Sequence, residues 1–389
     1  MRRSDPTIGF INLGHVLVHL FMLIFPTAVL ALERDWNTPY SQLLGLSLGG
    51  LVAYGGGSLP AGWLGDRWSR RGMMVIFFFG TGVAAIATGF AQGPTGIFVG
   101  LTAIGLFASI YHPVGIALLV RNQAKVGRTL GINGVFGNFG IASAALITGA
   151  LCDWVGWRAA FFLPGAIAII AGFFFLMTVR ATTEAPLTET RPAGALPRRL
   201  LLRVGLVLFV ATICDSVIFN ATTIAMPKVF AEHLAAFTDS TLGIGALLSI
   251  VYVVAAMAQL LVGQLIDKRG VGRVFLPVAA LQVPLLIVAS MSPGIGILPI
   301  AVALMFSVFG LIPILDAMVA VIVDERWRAR VYAMGYVLSF GASPLAVPLI
   351  AYTHDAAGGF STLFLALAAI GMGTVASALF LPQRALVRA

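Results

Sequence analysis

His15 and His19 stand four residues apart, so on a helix they share one face. Imidazoles change charge near neutral pH, and a carboxyl taken out of water can trade protons with them. His15, His19 and His112, with Asp215 and Asp316, therefore offer a set of groups able to take up and release a proton. Asp215 and Asp316 could instead hold a cation directly, with the histidines acting only as hydrogen-bond donors. Plainer roles exist for each. His112 precedes Pro113 and could satisfy carbonyls that the proline leaves free. His15 could snorkel to an interface, and each aspartate could pair with a neighbour. No Arg or Lys lies in the central parts of the surrounding apolar stretches, which makes His–Asp pairing the more available option. His15 and His19 could pass for half of a metal site, but no Glu lies between them as a base. Cys152 and Cys214 lack metal-ligand spacing and are too few for a disulfide framework. Neither a metal nor another cofactor is expected.

The elements that must position these groups are read from composition. The 389 residues are 59% hydrophobic and 10% charged, against roughly a quarter charged in soluble domains. Lipid must solvate most of the exterior. A spanning helix needs about 20 mostly apolar residues. Such stretches fall at 9–32, 41–64, 73–92, 95–120, 128–151 and 158–179, then at 204–230, 240–265, 273–291, 295–323, 330–352 and 360–381. The sequence predicts an all-α membrane protein of twelve spans. A β-barrel would show alternation in ten-residue segments, and none is present. No small-residue cleavage site follows the first apolar segment, which is expected to be retained as a span.

Arg and Lys fix the expected orientation. With a cytoplasmic N-terminus, 21 of the 24 Lys and Arg fall in cytoplasmic segments, leaving Arg34, Arg158 and Lys228 outside. Both termini are then inside, and the net charge of +9 is a topology signal rather than a nucleic-acid footprint.

One long polar connection, 180–203, separates a six-span segment, 1–179, from a second, 204–389. Repeats cross it. Gly62-x-Leu64-x-Asp66-Arg67 recurs as Gly263-x-Leu265-x-Asp267-Lys268, 201 residues on. Arg128 pairs with Arg330, His15 with Asp215 and His112 with Asp316 at offsets of 200 to 204. A near-constant offset implies parallel repeats related by an axis along the membrane normal. At about 1.5 Å per residue, His19 and Asp215 fall near mid-span, His15 one turn away, and His112 and Asp316 about two turns from the cytoplasmic ends.

Gly62-Trp-Leu-Gly-Asp66-Arg67-Trp-Ser-Arg70-Arg71 resembles the signature loop between helices 2 and 3 of the major facilitator superfamily. Gly263 to Gly270 is similar to its weaker copy between helices 8 and 9, and Asp153-Trp-Val-Gly-Trp157-Arg158 is similar to a stretch common in that family. Ser69 stands where the signature has a second glycine. The resemblance implies two six-helix bundles whose helices 1, 4, 7 and 10 line a central cavity. Gly62 and Gly65 would let helices approach closely. Asp66 would accept hydrogen bonds from an arginine or a helix N-terminus. Gly62, Asp66, Arg67, Arg70 and Arg71, with Gly263, Asp267 and Lys268, are the expected conformational latch. More narrowly, Gly14-His15-x-x-x-His19 with Pro26, Tyr111-His112-Pro113 and Gly137-Asn-Phe-Gly140 resemble the fosmidomycin-resistance branch of drug exporters. His19 replaces an acid of that branch and Val114 a Glu. The Gly-Pro element associated with antiporters is missing after Gly140, which favours import slightly.

Tyr54, Tyr111, Asn133, Asn138, Asn220, Tyr252, Gln259 and Tyr336 are candidates to line the cavity, although such groups more often hold helices together. Gly131, Gly134, Gly137 and Gly140 recur every three residues, so that helix surface should accept a close neighbour. The absence of a buried Arg or Lys argues against a phosphate ester as solute. No Gly-x-x-x-x-Gly-Lys-Ser/Thr loop is present, so ATP is not the expected energy source. The expectation is a secondary transporter, not an enzyme, working as a monomer in a bacterial inner membrane. It would be proton-coupled, with a lean to export of amphipathic or cationic compounds. Import of a metabolite is the near alternative; a membrane-embedded enzyme or a sensor is remoter. Its partners would be a small solute, protons and the bilayer.

Overall fold

The computed structural model describes residues 6–121, 126–180, 198–322 and 325–381. Among them, twelve helices are long and apolar enough to cross a bilayer, and no strand occurs. They are α1 (Pro6–Trp36), α2 (Tyr40–Arg67), α3 (Arg70–Gly89), α4 (Pro94–Val120), α5 (Arg128–Trp154) and α6 (Ala159–Thr178). The second set is α7 (Leu202–His233), α8 (Thr241–Arg269), α9 (Val271–Met291), α10 (Gly294–Ala320), α11 (Met334–Ala357) and α12 (Ser361–Phe380). These are the twelve spans that the apolar runs predict. Differences are at the ends. Helix α1 continues through Glu33, Arg34 and Asp35 until Asn37 adopts φ 47°. Helix α11 runs on to Ala357, past the expected 352, because the chain stays helical through His354 and Asp355 until Gly358 turns left-handed at φ 66°. Hydropathy alone does not see such polar last turns. Most of the 180–203 connection lies outside the described residues.

The chain forms two compact units. One comprises Met1–Thr183 and Ile224–Val253; the other comprises Glu184–Thr223 and Val254–Ala389. The division cuts through α7 and α8, because the segment around Lys228 to Ser249 is tied to first-half helices by bonds described below.

In the first unit α1 packs along α5, α3 along α6 and α4, and α2 along α4. Three of these crossings are so close that only glycine fits. A Cβ at Gly105 of α4 would overlap the Gly50 carbonyl oxygen of α2. A Cβ at Gly82 would lie 2.7 Å from the Gly165 carbonyl oxygen, and one at Gly140 would lie 2.5 Å from that of Val16. Of the four glycines spaced by three along α5, Gly137 and Gly140 do accept α1, whereas Gly131 and Gly134 have nothing within 4 Å. In the second unit α9 packs along α12 and α10 around buried Phe275, Leu311, Ile314 and Met318.

Candidate functional site

Helix α4 contains one π-helical turn, Tyr111–Gly115. Pro113 supplies no N–H there, so the α-helical ladder cannot continue through it, and π turns inside α-helices concentrate at functional sites. The turn carries Tyr111 and His112, both buried. The Tyr111 ring stacks on His15 with centroids 5.0 Å apart. Room for that ring comes from Gly14 and Gly115, whose missing Cβ atoms would lie 3.0 and 3.1 Å from it.

Three histidines from α1 and α4 converge. One ligand-type nitrogen of each of His15, His19 and His112 lies within 4.8 Å of the other two. His15 Nδ1 is 2.7 Å from the Asn133 carbonyl oxygen of α5. A carbonyl only accepts, so Nδ1 carries the proton and Nε2 presents its lone pair. His19 Nε2 lies 3.2 Å from that Nε2 and donates to it. His112 Nδ1 meets the Tyr54 hydroxyl of α2 at 3.1 Å. The Asn133 side chain closes the cage, donating to Asn12 Oδ1 at 2.9 Å and to the Tyr111 hydroxyl at 3.0 Å, while Tyr111 donates to the Ile11 carbonyl at 3.0 Å. His15 and His19 are half-buried, so the cluster is reachable from one side. A hydrophobic recess lies on the same helices, lined by Phe21, Phe25, Pro26, Leu51, Leu101 and Ile104.

The second unit is arranged differently. Asp215 on α7 is 7% accessible, and its Oδ1 is buried without a hydrogen-bond partner among the described residues. Beside it, Cys214 approaches Gly373 of α12 within 2.8 Å of where a Cβ would stand. The fully buried Gln282 of α9 has neither side-chain polar atom bonded. Ser216 donates to the Ser339 carbonyl at 2.5 Å, and Asn220 donates to the Ser216 carbonyl at 2.8 Å within its own helix. Asp316 on α10 is exposed within its unit rather than buried like Asp215. Tyr336 stacks on Phe340 at 5.9 Å. Gln259 of the second unit and Asn138 of the first are half-buried, and Tyr252 of the first is buried. Of the candidate cavity residues, then, Tyr54, Tyr111 and Asn133 join the histidines in one network, while Asn220 and Tyr336 are engaged locally.

Around the signature loop, Asp66 accepts from Arg70 at 2.8 Å. Arg71 donates to the carbonyls of Leu176 and Val179 at the end of α6, and Arg67 lies over the Trp63 ring at 5.0 Å. Ser69 is the N-cap of α3, its Oγ accepting from Gly72 N–H at 2.9 Å. Serine in place of glycine therefore supplies a cap. Gly62 and Gly65 face Pro113 and Val114 of the π turn at 3.3 and 2.9 Å. The repeat is looser: Gly263 has nothing within 4 Å, and Asp267 and Lys268 are exposed.

Sequence reasoning missed a polar cluster at the opposite ends of the helices. Asp153 caps α8, accepting from Ser240 Oγ at 2.7 Å and from the N–H groups of Leu242 and Thr241 at 2.8 and 3.2 Å. Arg34 donates to the Asp239 carbonyl at 3.0 Å and to Thr241 Oγ1 at 2.7 Å. Lys228 Nζ reaches Glu33 at 2.6 Å and Glu232 at 3.7 Å. The available signal was that Arg34 and Lys228 break the charge alternation of the loops.

Among the described residues, twelve helices long and apolar enough to cross a bilayer define a multi-pass membrane protein. The Major Facilitator Superfamily profile matches residues 11–236. The chain belongs to that superfamily. Over 185 residues it is 30% identical to the tetracenomycin C resistance and export protein of Streptomyces glaucescens, covering 46% of this chain and 34% of that one. It is 29% identical over 178 residues to the "Probable hexose phosphate transport protein" of Chlamydia trachomatis, covering 44% and 38%. The matches thus span about a third of the length of these relatives. Among solved structures, a bacterial homologue of the human lysosomal transporter Spinster, inward-facing and occupied, aligns with TM-score 0.74 at 14% identity, covering 97% of this chain and 95% of that one. A D-xylose–proton symporter aligns with TM-score 0.72 at 17% identity, covering 97% of each. At such identities these likenesses concern the fold alone.

Proposed function

We propose that the protein is a proton-coupled secondary transporter of a bacterial inner membrane, exporting amphipathic or cationic small molecules by alternating access. The two repeats, 1–179 and 204–389, act together as a monomer with both termini in the cytoplasm. The observation that carries the reading is Asp215. A carboxyl inside a span with an oxygen left unpartnered costs stability, which points to a use that offsets the cost. Taking up and releasing a proton is the use that fits a transporter. The histidine cage of the first unit then receives a polar part of the solute. Asp66 with Arg70, and more weakly Asp267 with Lys268, serve as the latch.

Export is favoured by the 30% identity to a resistance and export protein. The relative with hexose phosphate in its name supports an importer of a metabolite as the second reading. Against a phosphate ester, Lys228 is held by Glu33 and Glu232 and Arg34 by Thr241 and a carbonyl, so neither is positioned as a phosphate receptor. The test is flux of a lipophilic cationic dye in proteoliposomes under an imposed pH gradient. Wild type should move dye against its gradient and His19→Ala should do so poorly. Dye movement that ignores the pH gradient would sink the coupling.

A further inference from the structure

We propose that His15, His19 and His112 form a binding site for a first-row divalent transition-metal ion of the zinc type, with three imidazole ligands and one coordination position left open. It rests on the reading of this cage as a binding site and specifies what the imidazoles take.

Geometry comes first. Zinc–nitrogen bonds of about 2.0–2.1 Å in a tetrahedral site put ligand nitrogens about 3.3 Å apart. His15 Nε2 and His19 Nε2 are already 3.2 Å apart, and all three residues present a nitrogen within 4.8 Å of the others. Closing on an ion needs small ring movements and no backbone change. The tautomer is set as well. Because the Asn133 carbonyl takes the His15 Nδ1 proton, Nε2 holds the lone pair and points at His19. When an ion binds, the proton that His19 Nε2 donates here shifts to His19 Nδ1, so that both Nε2 atoms can ligate. A ligating histidine almost always gives its other N–H to such an acceptor. His112 is steadied in the same manner, its Nδ1 meeting the Tyr54 hydroxyl.

The helices are built to hold this arrangement. A Cβ on Gly137 would lie 2.6 Å from His15 Cε1, so α5 must be bare there for the ring to stand where it does. Tyr111 backs the same ring at 5.0 Å. His19 sits one turn further along the same face of α1, and the π turn of α4 carries His112 to the cluster. Access exists because His15 and His19 are half-buried. Imidazole donors suit zinc, copper, nickel and iron, whereas magnesium and calcium want oxygen. Three neutral ligands leave the dication's charge uncompensated, so the open position would be filled by hydroxide or by an anionic donor atom of a solute.

The direct probe is Co2+ titrated into the tag-free, detergent-purified full chain. The expected result is one ion per chain with the intense visible absorption of a four-coordinate Co2+ site, displaced by Zn2+ and not by Mg2+. His19→Gln, which keeps a polar side chain of similar reach, should abolish that spectrum. Tyr54→Phe should weaken binding by about 10–100-fold while keeping it, as outer-shell changes do. The chain's two other histidines serve as the control: a His233→Ala/His354→Ala variant should bind as wild type does. Thermal stabilisation by Zn2+ should follow the same order, and well-folded variants are recognised by an unchanged elution profile. Absence of binding, an octahedral spectrum, or binding unaffected by His19→Gln would overturn the proposal. An intact cobalt spectrum in a protein that shows no gradient-driven flux would remove the transport reading and leave the metal site standing.

Discussion

Two polar clusters inside the spans, one around His15 in the first unit and one around Asp215 in the second, are treated in opposite ways. In the first, Asn133, Asn12, Tyr111, Tyr54 and three histidines hold one another in place by bonds of 2.7 to 3.2 Å. In the second, Asp215 Oδ1 and both polar atoms of Gln282 are buried with no partner among the described residues. A satisfied network rigidifies a site, whereas an unsatisfied group is a standing cost. The comparison teaches that a repeat can keep its backbone plan while dividing labour. On the proposed reading, one copy supplies a preformed receptor, and the other keeps a group whose state changes during the cycle.

Stability measurements can break this comparison, because deletions in the two units should have opposite signs. The largest effect is expected for Asp215→Asn, which removes a charge from the span and should stabilise the protein by up to about 2.5–3.5 kcal/mol in thermal or denaturant unfolding in detergent. Gln282→Leu should act in the same direction by about 1–3 kcal/mol, since it removes unpaired buried groups without leaving partners behind. In the first unit, Gly137→Ala should destabilise by about 1–3 kcal/mol through overpacking against His15 and should lower transport. Gly134→Ala, with nothing within 4 Å, should be neutral or slightly stabilising. A small effect is expected at the signature loop too: the Asp66–Arg70 pair is i,i+4 with Asp66 largely exposed, so Asp66→Asn should cost no more than about 0.5 kcal/mol. A much larger loss of flux than of stability in that variant would sharpen its assignment as a latch.

The spans were legible because lipid imposes a length and a composition on each helix, and the apolar runs carry both. The pairing of His15 with His19 was legible too, since four residues on a helix is a local relation. His112 could not be joined to them from sequence, because a π turn at Pro113 decides which way it faces. Asn133 read as one polar residue among several; only the close approach of α5 to α1, permitted by Gly137 and Gly140, makes its carbonyl the partner of His15. The Asp153 cap on α8 depends on residues more than eighty apart, which no periodicity reports. Asp215 and Asp316 both read as carboxyls inside spans, at different depths; the sequence does not report that Asp215 is buried and Asp316 exposed.

The most direct test of the account compares two modes of transport in proteoliposomes carrying wild type or Asp215→Asn. Exchange of labelled dye for unlabelled dye needs the solute site and the conformational change but no net proton movement. Accumulation driven by a pH gradient needs all three. The account predicts that Asp215→Asn retains exchange and loses gradient-driven accumulation, while wild type performs both. An Asp215→Asn protein that still accumulates dye at the wild-type rate would contradict it.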